Sequence, residues 1–470
     1  MQFEKIKYVY FLGIGGIGMS ALARYFKMLG KQVAGYDKTE TELTKQLQQE
    51  GIEVNYSEEL TVLPANYFTE QAIANNETLL VYTPAIPKEH KQFVYFNQKN
   101  YSLYKRSQVL GFITKNYSTV AVAGTHGKTT TSSIVAHLFK SSKKDCSAFL
   151  GGITLNYNSN FLISTKQENN SWVVVEADEY DRSFLTLFPQ IAIITSVDAD
   201  HLDIYGEHDA LKKSFEQFAN QIKSAGSLIY KKGLEFELPT DTTIKKYTYS
   251  VNEEADFCVT NLRIENGFFH FDFKSCIESI NDLVFGIPGR HNVENAIAAI
   301  ASAQIAGVTA LEIKNALQSF KGVKRRFDFH IRANNIVFID DYAHHPEELK
   351  ACISSVKELY PNKKIAGVFQ PHLFSRTRDF LDGFASSLDL LDETILLDIY
   401  PARELPIEGV TSQLILDNMK STNKQLCSKS NLVNAVEQIN ADVWLILGAG
   451  DIDVLVEPVS QMLKQKYHVA

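Results

Sequence analysis

Three times along the chain, runs of four to six apolar residues alternate with stretches whose apolar positions recur every three to four residues. That pattern predicts buried parallel strands joined by amphipathic helices. The first block opens with a strand at Tyr8–Leu12, passes through a helix reaching Leu29 that Gly30 stops, and returns as a strand at Gln32–Tyr36. Strands at Leu79–Tyr82 and Ser102–Tyr104 extend it, and it ends near Thr114. In the second block a strand through Val120–Ala123 leads into a helix, and further apolar strands at Trp172–Glu176 and Ile191–Thr195 run into acidic residues. From Leu228 to Leu283 apolar and polar residues alternate, which predicts added antiparallel strands. A helix then opens at Pro288-Gly289 and closes at Gly307. The third block places strands at Ile336–Asp340, Ile365–Phe369, Thr394–Asp398 and Val443–Leu447 with a helix between each pair. Its first helix is the best marked. Pro346 sits in the first turn with Glu347 and Glu348, an apolar face runs through Leu349, Cys352, Ile353, Val356 and Leu359, and Pro361 ends it.

Bulk properties narrow the class. A chain of 470 residues is too long for one core. Hydrophobic content of 45% and charged content of 22% suit a soluble globular protein. A formal charge of −8 leaves no basic excess to meet a nucleic-acid backbone. No apolar run is long enough to span a membrane, and no signal-peptide pattern precedes the first strand, so a cytoplasmic protein without nucleic-acid or membrane partners is expected. Cys146, Cys258, Cys276, Cys352 and Cys427 are scattered without metal-ligand spacing, as reduced thiols are.

The most informative motif is Gly124-Thr125-His126-Gly127-Lys128-Thr129-Thr130, lying between a strand and a helix. A turn of this kind aims backbone N–H groups, a helix N-terminus and one ammonium at a single point, which suits a polyphosphate. Lys128 would reach the β- and γ-phosphates, and a Thr129 or Thr130 hydroxyl would sit on Mg²⁺. Val122 stands where the usual first glycine would be, so the loop is a variant. Gly13, Gly15, Gly16 and Gly18 form a second glycine loop, and Asp37 follows Gly18 by nineteen residues. This is close to a dinucleotide fingerprint, but it does not separate a nicotinamide from another nucleotide diphosphate.

Other candidates cluster at strand carboxyl ends, where open α/β sheets gather their ligands. Glu176 and His201 are suited to hold a second divalent ion. Asp178, Glu179 and Asp181 read equally well as a solvated acidic turn. Asn292 is a candidate cap, while His291, Asn292 and Asn295 together would also suit an adenine. Arg325 and Arg326 fit either an interdomain ion pair or closure over a transferring phosphoryl group. Asp340-Asp341-Tyr-Ala-His344-His345-Pro346 ends a strand, with His344 facing the crevice and His345 a neighbour of the cap. Arg376 and Arg378 suit capture of a carboxylate, since cations at a helix start would oppose its dipole.

Taken together, Gly13–Ser20, Gly124–Thr130, Asp200–Asp203, His291–Asn295, Lys324–Phe327, Asp340–Pro346 and His372–Arg378 resemble the Mur ligase family over the whole chain. The resemblance implies an α/β protein of three domains. These are a Rossmann-like N-terminal domain over 1–114, a central P-loop-type ATPase domain with a mostly parallel sheet over 115–323, and a C-terminal Rossmann-like domain over 324–470. It implies ATP-dependent phosphorylation of the lactyl carboxylate of UDP-N-acetylmuramate, followed by attack of the L-alanine amine, in peptidoglycan precursor synthesis. Lys128, Glu176, His201, Arg326 and His344 would be catalytic, with two Mg²⁺ ions at Thr129, Glu176 and His201. ATP would meet Gly124–Thr130, His291, Asn292, Asn295, Arg326 and Asp341. Gly13, Gly15, Gly16, Gly18, Met19, Ser20, Asp37 and Thr83 would hold the sugar nucleotide, and His344, Arg376 and Arg378 the amino acid. A monomer or homodimer is expected.

Two positions depart from relatives. Phe215 stands where several carry a carbamylated lysine, which points to the alanine-adding branch. Leu373-Phe374 replaces a frequent Arg-Tyr, removing one expected carboxylate contact. Rival readings are a recycling ligase that attaches a tripeptide, against which Gly15-Gly16-Ile17-Gly18 speaks, a nicotinamide-dependent dehydrogenase, which gives Lys128 no role, and a non-catalytic nucleotide-binding regulator.

Overall fold

The computed structural model describes residues 3–115, 117–165, 171–198, 208–265, 267–402 and 404–469. Its strands form three sheets. The first holds β1 (Tyr8–Leu12), β2 (Gln32–Tyr36), β3 (Glu53–Asn55), β4 (Thr78–Tyr82) and β5 (Leu103–Lys105) in the order β3-β2-β1-β4-β5, every pair parallel. The order reverses at β1, so the glycine loop that follows β1 lies at the switch point where a crevice opens.

The second sheet has ten strands: β6 (Ser118–Ala123), β7 (Cys146–Thr154), β8 (Ser159–Leu162), β9 (Trp172–Glu176), β10 (Ile191–Ile194), β11 (Ser227–Lys231), β12 (Lys245–Ser250), β13 (Phe257–Glu265), β14 (Phe268–Ser275) and β15 (Ile280–Phe285). Their order is β15-β14-β13-β12-β11-β10-β6-β9-β7-β8. The antiparallel expectation for 228–283 is corrected here, because β10–β11, β11–β12 and β12–β13 are all parallel. Alternation identifies a half-buried strand, but it carries no information on direction. β14 and β15 follow their neighbours in the chain after short turns.

In the third sheet β16 (Asp328–Arg332), β17 (Val337–Asp341), β18 (Ile365–Phe369), β19 (Glu393–Leu396), β20 (Lys424–Leu426) and β21 (Val443–Leu447) take the order β16-β17-β21-β18-β19-β20. All pairs are parallel except β16–β17. The predicted helix between β17 and β18 runs Pro346–Leu359 with Pro346 at its start, and buries Leu349, Cys352, Ile353 and Val356. His345 is the cap itself rather than a neighbour of it, since its side chain accepts from the Glu347 amide at 3.4 Å.

By internal packing the chain divides into two compact units. One is Met1–Thr260 with Asp272–Leu283 and Asn295–Ser319, and the other is Asn261–Phe271 with Val284–Glu294 and Phe320–Ala470. The first unit contains the first sheet and most of the second, and one apolar core serves both. Tyr25, on the helix Ile17–Met28 after the glycine loop, packs on Phe149 of β7 and Phe161 of β8 at 5.5 and 6.0 Å between ring centroids. Phe215 is fully buried against Phe184 at 5.2 Å between ring centroids. Among the described residues no helix is long and apolar enough to cross a membrane.

Candidate functional site

The phosphate loop follows β6, a strand buried along five of its six residues. Gly124 adopts φ +136°, and a Cβ there would stand 2.0 Å from Thr195 Oγ1, so only glycine lets the loop pass the end of β10. The Thr125 and Ser196 hydroxyls lie 2.8 Å apart, and Ser196 Oγ also accepts from the His126 amide at 2.8 Å. Gly127, at φ +81°, caps the helix Lys128–Lys140, where Thr129 and Thr130 are buried in the first turn. Asn295 joins this site. A Cβ on Gly127 would meet its Oδ1 at 2.5 Å, and the same oxygen accepts from Thr131 Oγ1 at 3.2 Å.

Lys128 Nζ donates to Gly124 O at 2.5 Å, to Thr125 O at 3.3 Å and to Glu179 Oε1 at 2.9 Å. Glu179 is therefore not part of a solvated turn. It is fully buried and paired with the loop lysine, a residue that sequence reasoning missed. Burial opposes the Lys128 charge, yet Glu179, Asp178 and Glu176 outweigh it and hold the ammonium above its usual range.

The glycine loop after β1 lies in the same unit. Gly13 takes φ +87°, and a Cβ on it would strike Thr83 at 2.5 Å. The Gly15 amide donates to Asp37 Oδ2 at 2.7 Å, so the acid after β2 braces the loop. Gly16, Gly18, Met19, Thr83, Arg106, Gly151, Glu176 and Asp178 line a cavity of about 250 Å³. Arg106 meets Asp178 at 3.4 Å and abuts Gly18, while Glu176 accepts from the Gly151 amide at 3.0 Å. Glu176 thus shares a cavity with the glycine loop. The signal for its neighbour was the Gly151-Gly152 pair inside a strand, which marks a close approach.

Ser20 points inward. It is fully buried, its hydroxyl donates to Ile17 O at 2.9 Å, and it accepts from Asn160 Nδ2 at 3.0 Å. It braces the helix on β8 and is not among the residues that line the cavity. One helical turn separates the two faces, a distinction no motif reveals.

His201, with the rest of Asp200–Asp203, lies outside the described residues. Among the described residues no group of three or more His, Cys, Asp or Glu side chains is arranged to hold a metal ion. The carboxylate of Glu176 and the hydroxyl of Thr129 are nonetheless the hard oxygen donors that Mg²⁺ accepts alongside water and phosphate oxygens.

In the second unit, Arg325 and Arg326 flank the Tyr342 ring at 5.2 and 4.9 Å. Arg325 donates to Gly448 O at 2.6 Å and pairs with Asp340 at 3.3 Å. Asp341 accepts from the Phe327 and Ala343 amides at 2.7 and 2.8 Å. Burial lifts Asp340 to about 7 despite Arg325, and Asp341 to about 6 despite Arg326 and the two amides. His291 lies 3.4 Å from Ser355 Oγ, and burial lowers its pKa to about 4. Asn292 donates to Pro288 O at 2.6 Å and so braces its own turn.

The His344 ring pairs with Glu348 at 3.2 Å and lies 6.0 Å from that of His372, whose Nδ1 is 3.4 Å from Arg376. The helix here runs Phe374–Asp379, with both arginines in its last turn. The Leu373 amide donates to Tyr400 O and the Tyr400 amide to Pro371 O, and Leu373, at φ +72°, is the residue from which the helix starts. Arg376 is buried, whereas Arg378 is exposed and pairs with Asp379 at 2.7 Å. The structure therefore brings together His344, His372 and Arg376, but not Arg378.

Residues 8–118 match the Mur ligase family catalytic domain, 122–303 the Mur ligase middle domain, and 325–452 the Mur ligase glutamate ligase domain. The chain is 50% identical over 466 residues to the UDP-N-acetylmuramate–L-alanine ligase of Flavobacterium psychrophilum, covering 99% of this chain and 100% of that one. It is likewise 50% identical over 460 residues to the enzyme of that name from Christiangramia forsetii, covering 97% and 98%. Among solved structures, the UDP-N-acetylmuramate–alanine ligase of Thermotoga maritima superposes with a TM-score of 0.79 at 28% identity, covering 97% of this chain and 99% of that one. Domain by domain and over its full length, this chain belongs to the Mur ligase family.

Proposed function

We propose that this chain joins L-alanine to UDP-N-acetylmuramate, converting ATP to ADP and phosphate. What carries the reading is identity of about half over essentially the whole length to ligases of that name, combined with a phosphate loop built around a buried lysine. Whole-chain likeness of this kind leaves a nicotinamide-dependent dehydrogenase without support.

The chemistry has two steps. A lactyl carboxylate oxygen attacks the γ-phosphorus, a P–O bond forms, and ADP departs. The amine of alanine, having lost a proton, then attacks the acyl carbon, and the tetrahedral adduct expels phosphate to leave an amide. The first step brings together two anions, so positive charge and N–H donors must be arranged in advance. Gly124–Thr130 would cradle the phosphates, with Lys128 neutralising the transferring group and Asn295 at the loop. Mg²⁺, held by Thr129, Glu176 and His201, would supply charge neutralisation at the phosphate oxygens. Gly13, Gly15, Gly16, Gly18, Asp37 and Thr83 would hold the UDP-sugar, and His344 with Arg376 the alanine. On this reading 1–114 serve the sugar nucleotide, 115–323 ATP and 324–470 the amino acid.

The test is phosphate and ADP release with UDP-N-acetylmuramate and a panel of amino acids. L-Alanine is expected to be used best, with one ADP per amide. Amide formation without ADP, or preference for a tripeptide, would overturn the reading.

A further inference from the structure

The Lys128 ammonium has three protons, and the chain provides an acceptor for each: two loop carbonyls, Gly124 O and Thr125 O, and the Glu179 carboxylate, whose oxygens lie 2.9 and 2.8 Å away. To donate to a phosphate, Lys128 must give up one of them. The carbonyls belong to the phosphate loop and move with it. Glu179 belongs to a separate element, immediately before the 3-10 turn Tyr180–Thr186 that follows β9. Its negative charge lies beside the point where phosphate oxygens would collect, so it is the partner that a polyphosphate repels.

We propose that Glu179 is the internal counter-ion of Lys128, displaced by an incoming triphosphate and recapturing the lysine as the diphosphate leaves. This deepens the reading of the loop as an ATP site and rests on it. Glu179 is on this account a positioning residue. It sets where Lys128 starts, and it weakens ground-state binding of nucleotides whose phosphates reach the lysine. One backbone bond ties it to the turn that follows and another ties its neighbour: the Arg182 amide donates to Glu179 O and the Phe184 amide to Asp178 O, each at 2.9 Å.

The experiment is calorimetric titration of wild type and Glu179→Gln with ATP and with AMP, in Mg²⁺ at one pH. The variant keeps the shape and loses the charge. ATP is expected to bind it about fivefold tighter or more, with AMP within about twofold. A merely structural role would weaken both nucleotides together, and that result, or unchanged ATP affinity, overturns the proposal. If the variant fails to fold, hydrogen exchange in the wild-type enzyme decides. ATP but not AMP should speed exchange across Tyr180–Thr186, and equal or slower exchange with ATP overturns the proposal. Wild-type enzyme that binds no ATP would instead remove the loop reading beneath it.

Discussion

Gly151→Ala tests whether the position of Glu176 matters to catalysis, without touching the carboxylate. A Cβ on Gly151 would stand 2.2 Å from Glu176 Oε2 and 2.4 Å from its Cδ, where ordinary contact begins at 3.4 Å. The β7 backbone is held on either side of Gly151, at Phe149 and at Thr154, so the flexible carboxylate is the group that retreats, by about 1 Å. Glu176 also gives up good geometry with the Gly151 amide, now at 3.0 Å. Misplacement of that size at a reacting centre costs on the order of a hundredfold in rate, or about 2.7 kcal/mol of transition-state stabilisation. The assay is kcat for phosphate release with saturating UDP-N-acetylmuramate, L-alanine and ATP, alongside a thermal melt. A drop of about a hundredfold at an unchanged melting temperature is expected. Activity within about threefold of wild type would refute the reasoning, since the carboxylate would then tolerate the displacement.

Lys128→Ala should lower phosphate release by about a thousandfold or more, with UDP-N-acetylmuramate affinity retained, since the lysine's contacts are to the phosphate loop and Glu179; calorimetry with the sugar nucleotide checks the second half, and joint loss would contradict the separation of sites. Phe215→Lys should unfold the first unit rather than create a metal ligand, because it buries an ammonium beside the Phe184 ring, a cost of about 3–5 kcal/mol, and a wild-type melt would refute it. Asp340 carries a pKa of about 7 in the fold, above its unfolded value, so the folded state binds more protons between about pH 4 and 7 and loses stability as pH rises through that window. Asp340→Asn removes this dependence, so its melting temperature relative to wild type should rise from pH 5 to pH 8, and a constant or falling difference would refute the assignment.

How legible the site was depended on how local its signals are. The strands β1, β2, β9, β18 and β21 were readable to the residue, because a buried parallel strand needs an unbroken apolar run and little else. The phosphate loop was equally plain, since Gly124 and Gly127 sit at positive φ, where other residues are strained, and such positions leave a mark on sequence. The edge strands β3, β16 and β20 were missed: β3 and β20 are three residues long, and β16 buries one residue of its five, so each leaves little apolar signal to find.

By itself, then, the order of residues determined the α/β class, the two glycine loops, the helix start at Pro346 and the lysine at the centre of the phosphate loop. Tertiary structure alone decided strand direction after β10, the burial of Ser20 against Asn160, the separation of Arg376 from Arg378, and the pairing of Glu179 with Lys128. The first group rests on backbone geometry and periodicity within a few residues. The second depends on which groups meet across tens or hundreds of residues, where a carboxylate is a solvated charge or a buried counter-ion according to what packs over it.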